Sequence, residues 1–295
     1  MDIATEADGC ADVCMLAEDL SAASIRAQAV LEQGGVLVLP ARGFVLEPAE
    51  LELLDPALGK ARVKNISLDP ATGRVGGAVA DPAAAQALQG LMARYADWAE
   101  RLALEIAPGW AGGLERARTS LRPRPAGAFV ASVRKDDRLL HVDAFPSQPV
   151  QGRRILRVFS NIDPAGAGRV WSVGPRFEAY ARRFAPRLKS RSRAAAVLRH
   201  RLGLTRGLRT PYDEAMLQLH DLAKTDPAWQ ASAPRRTVEF PAGSTWLVFT
   251  DAVPHAVQSG QGALEQTFYL PVAAMARPEL SPLGILERLT GAALA

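Results

Sequence analysis

The chain is poor in cysteine, histidine and aromatic residues, and each scarcity narrows what it can be. Its two cysteines, Cys10 and Cys14, both fall in the acidic stretch MDIATEADGCADVCMLAEDL. Two thiols so close together, far from any histidine, fit neither a disulfide framework nor a four-ligand zinc site. No apolar run approaches the ~18 residues of a membrane-spanning helix. The N-terminal stretch has no basic residue before Arg26 and no apolar h-region, so no export signal is expected and the protein reads as soluble and cytoplasmic.

What remains is a globular composition. Of 295 residues, 48% are hydrophobic and 22% charged, enough to bury a sizeable core. At about 150 residues per domain the length admits two domains or one elaborate one. With no internal repeat and no proline-rich linker, we expect one domain spanning 1–295. The net charge of +4 hides a concentration: eleven Lys/Arg between Arg176 and Arg209 face one acid, Glu178. Such a block suits an anionic partner, whether phosphates, a membrane surface or a phosphorylated substrate.

Along the chain, Ser21 to Gln33 reads as a helix stopped by Gly34-Gly35, and VLVLP as a short buried strand. KNISLDPATGRVGG reads as loop. Asp81-Pro82 opens the clearest helix, an N-cap followed by proline at the first helical position. Its apolar stripe (Leu88, Leu91, Tyr95, Trp98, Leu102, Ile106) steps by three and four until Pro108-Gly109. The period then shortens. AFVASV, RILRVFSNI, TVEF, STWLVFT, HAVQS and LEQTFYLPV read as strands, interrupted by helical character from about Pro175 to Trp229. The expected organisation is a flexible acidic leader over 1–20, a helical N-terminal layer over 21–120 and a β-sandwich or barrel over 121–275. A basic helical insertion occupies about 175–229, and 276–295 forms a C-terminal tail.

Two of the four histidines can carry metal chemistry. In LLHVDAF, read as a strand, His141 and Asp143 point to one face and supply an imidazole and a carboxylate. His255, beside the strand HAVQS, can add a second imidazole. Two histidines and a carboxylate on one face of an octahedron leave three positions open, the arrangement of non-haem Fe(II) oxygenases. The alternative is a structural His141–Asp143 hydrogen bond with His255 on the surface. His200 and His220 are expected to be ordinary surface or packing residues.

With these ligands stand GGVLVLPARGF, KNISLDP, LLHVDAFPSQP and GRRILRVFSNIDP. In these motifs, and over roughly residues 30 to 275, the chain resembles the Kdo 3-hydroxylase family of the 2-oxoglutarate/Fe(II)-dependent oxygenases. The resemblance implies an α+β fold with a double-stranded β-helix (jelly-roll, cupin-like) core. It implies Fe(II) on His141, Asp143 and His255, with 2-oxoglutarate and O2 as cosubstrates. The implied reaction hydroxylates the Kdo sugar of Kdo-lipid A at C3 to give Ko, with succinate and CO2. Many superfamily members bind the far 2-oxoglutarate carboxylate with a cation about ten residues after the distal histidine; no cation follows His255 here before Arg277. Others place it on the strand after HxD, where Arg154 and Arg157 stand on opposite faces. Arg154 shares its face with Leu156 and Val158, as an inward residue would, and is the favoured partner; Arg157 is the other. The basic block would then meet Kdo-lipid A and the anionic inner-membrane surface, with no nucleic acid expected. Two alternatives stay open: a 2-oxoglutarate oxygenase of another small or lipid-linked substrate, and a metal-free module binding anionic glycolipid.

Overall fold

The computed structural model describes residues 2–4, 9–16, 20–128, 132–189 and 192–295. Strands β1 (Asp2–Ala4), β2 (Val13–Met15) and β3 (Val36–Leu39) flank helix α1 (Leu20–Glu32). A hairpin β4 (Ile66–Leu68) and β5 (Val75–Gly76) precedes helix α2 (Pro82–Ile106) and strand β6 (Glu115–Arg122). Then come β7 (Arg154–Asn161), β8 (Arg169–Val173), α3 (Phe177–Phe184), α4 (Arg193–Arg201), α5 (Pro211–Lys224) and α6 (Pro227–Ser232). The chain closes with β9 (Arg236–Phe240), β10 (Thr245–Phe249), β11 (His255–Ser259), β12 (Ala263–Leu270) and α7 (Pro282–Thr290).

Among the described residues the strands form two facing sheets. The larger runs β1-β2-β3-β10-β7-β12-β6-β4-β5 and the smaller β11-β8-β9. From β7 onward the chain crosses repeatedly between the sheets, with β7, β10 and β12 in the large one and β8, β9 and β11 in the small one, which makes the jelly-roll core. Between them lies an aromatic stack: the Phe240 and Trp246 rings are 4.0 Å apart, and Phe159 lies on Trp246 at 5.2 Å. The other face of the large sheet is covered by α1 and α2. Asp81 caps α2 by accepting from the Ala83 and Ala84 N–H groups, as its sequence signature requires. The stripe that follows is buried at Leu88, Leu91, Tyr95, Leu102 and Ile106, each worth about 1.5–3 kcal/mol of transfer free energy for a large apolar side chain.

The structure departs from the sequence expectations in several places. The stretch read as flexible leader contributes β2, which pairs in parallel with β3 through buried Val13 and Cys14. VLVLP forms the expected buried strand β3, but the layer read as helical also carries β4, β5 and β6, because one face of the sheet is covered by its helices and the strands between them complete that sheet. KNISLDPATGRVGG forms the β4–β5 hairpin rather than a loop. Within the stretch read as tail, α7 is a capped helix with buried Ile285 and Leu286. Residues 129–131 of the expected strand AFVASV lie outside the described residues, and Val133–Lys135 is a single 3-10 turn. The basic insertion is helical, α3 to α6, and sits between β8 and β9.

Candidate metal centre

LLHVDAF is extended but makes only one β-bridge, His141 to His255. Ladder pairing stops there because the Gln230 side chain takes the Leu140 N–H at 2.9 Å and donates to the Leu140 carbonyl at 3.0 Å. On the other side, the Asp143 N–H donates to the Thr250 carbonyl at 2.8 Å. The segment is thus pinned between the insertion and the β10–β11 turn.

This pinning brings His141, Asp143 and His255 together, all buried, with one ligand atom from each lying within 4.8 Å of the others. His141 Nε2 is 3.8 Å from Asp143 Oδ1. Nδ1 of His141 is 2.7 Å from the Leu139 carbonyl, and Nδ1 of His255 is 2.8 Å from that of Val253. A carbonyl only accepts, so both Nδ1 atoms carry the hydrogen and both Nε2 lone pairs face the cluster. Burial and, for His141, the neighbouring His255 hold both imidazoles below their ordinary value, keeping them neutral ligands. Burial alone would raise the Asp143 carboxyl, but the Arg157 guanidinium, together with the two imidazoles and the Thr250 hydroxyl, outweighs it and holds it well below the usual carboxylate range. Asp143 Oδ2 is buried without a hydrogen-bond donor. Two neutral imidazoles, one ionised carboxylate and an orphaned buried oxygen suit a divalent first-row metal. Trp171 stacks on His255 at 5.1 Å, and His220, read from sequence as ordinary packing, sets its ring edge-on to His141 at 5.3 Å.

The arginines sort by face. Arg154 does not reach the centre. It is on the side of β7 that meets the helices, over the Phe249 ring at 4.0 Å, with its Nε 2.8 Å from Asp251. Opposite faces for Arg154 and Arg157 hold as expected, but the large sheet is buried on both faces, so apolar neighbours could not identify the inner one. Arg157 faces the small sheet, its Nε 3.2 Å from Asp143 and its Nη1 3.0 Å from Glu265. Glu265 also receives Arg122 at 2.6 Å. Sequence reasoning missed Arg169 at the start of β8, because RVWSV sits among glycines and was not read as a strand. It is 3% exposed, its Nε has no partner, and among the described residues no carboxylate is within ion-pair distance. Among the described residues its guanidinium donates one hydrogen bond, to the Gly260 carbonyl at 3.3 Å. Burial and then the Arg122 charge push it down to about 10, so it is still cationic at neutral pH. Beside the centre opens a cleft of about 870 Å3, lined by Arg157, Glu265, Thr267, Phe145 and several further cations.

A jelly-roll core that converges two histidines and an aspartate on one buried point defines a non-haem Fe(II)/2-oxoglutarate-dependent oxygenase. Residues 17–293 match the profile of the 3-deoxy-D-manno-oct-2-ulosonic acid (Kdo) hydroxylase family, and the chain belongs to that family. It is similar to crystal structures of the Kdo hydroxylase KdoO, a non-haem Fe(II) α-ketoglutarate-dependent dioxygenase. The KdoO complex with cobalt(II) superposes with a TM-score of 0.91 at 41% identity, over 96% of this chain and 97% of that one. The complex with α-ketoglutarate and Fe(III) gives 0.91 at 40% identity, and that with succinate and Fe(III) 0.90 at 40%, each over 96% of this chain and 97% of that one. No curated protein sequence matches the chain.

Proposed function

We propose that the enzyme hydroxylates the Kdo sugar of Kdo-lipid A at C3, giving Ko, with Fe(II) held by His141, Asp143 and His255. The observation that supports this most is the buried triad with fixed tautomers beside a cationic cleft. The sugar is a 2-ulosonic acid lacking the C3 hydroxyl, so C3 is the ring carbon left to oxidise. When bound, Fe(II) with 2-oxoglutarate and O2 supplies the oxidation of an unactivated C–H bond, one oxygen atom going to the sugar and one to succinate, with loss of CO2.

The protein's own residues hold and shield. Arg157 keeps Asp143 ionised, the Leu139 and Val253 carbonyls aim the imidazoles, and Trp171 and His220 pack against their rings, excluding water. The far carboxylate of 2-oxoglutarate is assigned to Arg169, the buried cation without a carboxylate partner; Arg157 is already shared by Asp143 and Glu265. A planar guanidinium meets a carboxylate through two parallel hydrogen bonds.

The basic block is less available for an anionic partner than its sequence suggests, since folding supplies acids from elsewhere. Arg176 pairs with Asp12, Arg187 with Asp226 and Arg209 with Glu214. The tip of α4 is different. There Leu198, Leu202 and Leu204 are 57%, 64% and 62% exposed, alongside the exposed Arg201. Exposed leucines beside a cation suit the interface of an anionic membrane, and we assign peripheral contact to this tip. Among the described residues no helix is long and apolar enough to cross a membrane.

The test is anaerobic reconstitution with Fe(II), 2-oxoglutarate and Kdo-lipid A, followed by air. A mass gain of roughly 16 Da on the lipid, with stoichiometric succinate, is expected. Succinate without oxygenated lipid would move the substrate elsewhere.

A further inference from the structure

The cleft beside the metal centre is lined by six cations and only two acids, Asp69 and Glu265. Three of those cations stand close to the triad or are already paired: Arg157, Arg122 and Lys64. The other three, Arg74, Arg118 and Arg206, come from separate parts of the chain. Arg74 ends the turn of the β4–β5 hairpin, Arg118 is on β6, and Arg206 follows α4. The turn after α4 is tied down over the segment following HxD, with the Arg206 N–H donating to the Ser147 carbonyl at 2.9 Å.

Arg118 owes its direction to a backbone irregularity. The β6–β12 register shifts between Gln266 and Phe268, so Ala117 and Arg118 together oppose Thr267. Without that bulge Arg116 and Arg118 would share a face. With it, Arg116 turns to α2 and pairs with Asp97 at 2.7 Å, while Arg118 is exposed in the cleft. Bulges re-aim side chains in this way beside active sites. Thr267 pairs on its other side with Arg157, so two strand spacings, about 10 Å, separate the Arg118 backbone from that of Arg157. Among the described residues neither Arg74 nor Arg118 has a carboxylate within ion-pair distance, and Arg206 has only Asp69, at 3.6 Å.

We propose that Arg118, with Arg74 and Arg206, binds a second oxyanion of the substrate, about one sugar unit from the carbon that is oxidised. This rests on the Kdo-lipid A reading. C1 of the reacting Kdo is two bonds from C3, so its own carboxylate stays beside the metal. An anion met two strands away belongs to a neighbouring group: the carboxylate of an adjacent acidic sugar or a phosphate of lipid A. These residues select a doubly anionic substrate over a lone Kdo, leaving 2-oxoglutarate binding alone.

The test compares Arg118→Ala, Arg206→Ala and Arg118→Lys with the parent. Binding of Kdo-lipid A to the metal-free protein is followed by calorimetry, and KM for lipid and for 2-oxoglutarate is measured on the iron-loaded enzyme. Expected is a loss of roughly 10- to 100-fold in lipid affinity for each alanine variant, partly restored by lysine, with KM for 2-oxoglutarate unchanged. Two further substrates separate the sources. If the alanine effect disappears with a single-Kdo lipid A, the partner is the neighbouring carboxylate. If it disappears with dephosphorylated lipid A carrying two Kdo residues, the partner is phosphate. Persistence with both, or parental lipid affinity in Arg118→Ala, overturns the proposal. Should the parent itself leave Kdo-lipid A unoxidised, it is the substrate reading that fails.

Discussion

Nε of Arg157 lies 3.2 Å from Oδ2 of Asp143, yet the two atoms are out of line for a hydrogen bond. The arginine therefore stabilises the ionised carboxylate while leaving a lone pair directed elsewhere, as a metal ligand needs. In Arg157→Gln the burial of Asp143 is no longer offset by that charge, its pKa rises, and protons compete with the metal. Cobalt(II) affinity, measured by calorimetry, should fall roughly 10- to 100-fold, more at pH 6 than at pH 8. A variant that binds cobalt like the parent across that range would show Asp143 does not depend on Arg157.

The same centre makes the metal-free protein acid-sensitive. Both triad imidazoles titrate below their ordinary 6.5 when folded, so the unfolded chain binds protons first as pH falls. A lowered folded pKa gives stability that is full above the unfolded value and is lost as pH drops through it. Asp143, also lowered, adds a second loss below about pH 4. The Tm of the metal-free protein should be flat from pH 8 to about 6.5 and decline below. His141→Asn/His255→Asn, lacking both imidazoles, should decline less between pH 6.5 and 5.

How much of this was legible in the sequence depends on whether a residue's role is local. The Asp81-Pro82 cap, the stripe of α2 and the strand HAVQS are set by neighbours within a few residues, and each appears where the pattern puts it. His141 and Asp143 share a face by spacing alone, whereas their pairing with His255 needs the bridge that the fold makes. The arginines were not legible. Alternation put Arg154 and Arg157 on opposite faces, but naming the inner face requires knowing that α1 and α2 cover the outer one. Arg169 stands out only because no carboxylate among the described residues is within ion-pair distance of it, a property of the packed structure.

Arg154 and Asp251 form an ion pair that is at most 1% exposed. Removing one partner leaves a buried charge uncompensated, so Arg154→Ala should cost about 3–5 kcal/mol in denaturant unfolding. Enzyme that does fold should keep its KM for 2-oxoglutarate. A large rise in that KM would return Arg154 to the cosubstrate site.

Arg169→Ala carries the opposite signature. It removes a cation with no carboxylate to leave behind, so stability should change little. Binding of 2-oxoglutarate should weaken by about 2–4 kcal/mol, roughly 30- to 1,000-fold. Equilibrium binding of 2-oxoglutarate to the cobalt(II) protein reads this without turnover. Parental affinity in Arg169→Ala would mean that the far carboxylate is held by another group.

The membrane contact assigned to the α4 tip separates from chemistry in one comparison. Leu198, Leu202 and Leu204 contribute little to the core, so Leu198→Ser/Leu202→Ser should fold with parental Tm. If these side chains enter an anionic bilayer, each full burial is worth about 1.5–3 kcal/mol. Partial insertion of two should still weaken binding to vesicles of Kdo-lipid A and anionic phospholipid roughly 10- to 100-fold. The loss should persist in high salt, because the leucine contribution is apolar; loss in Arg201→Ala should shrink as the Debye length falls. Turnover of a soluble Kdo disaccharide should stay parental in both variants, since the triad and cleft are untouched. Equal losses on vesicle and fragment would place these residues in the catalytic fold rather than at a membrane, and parental vesicle binding in both variants would leave the tip without a membrane role.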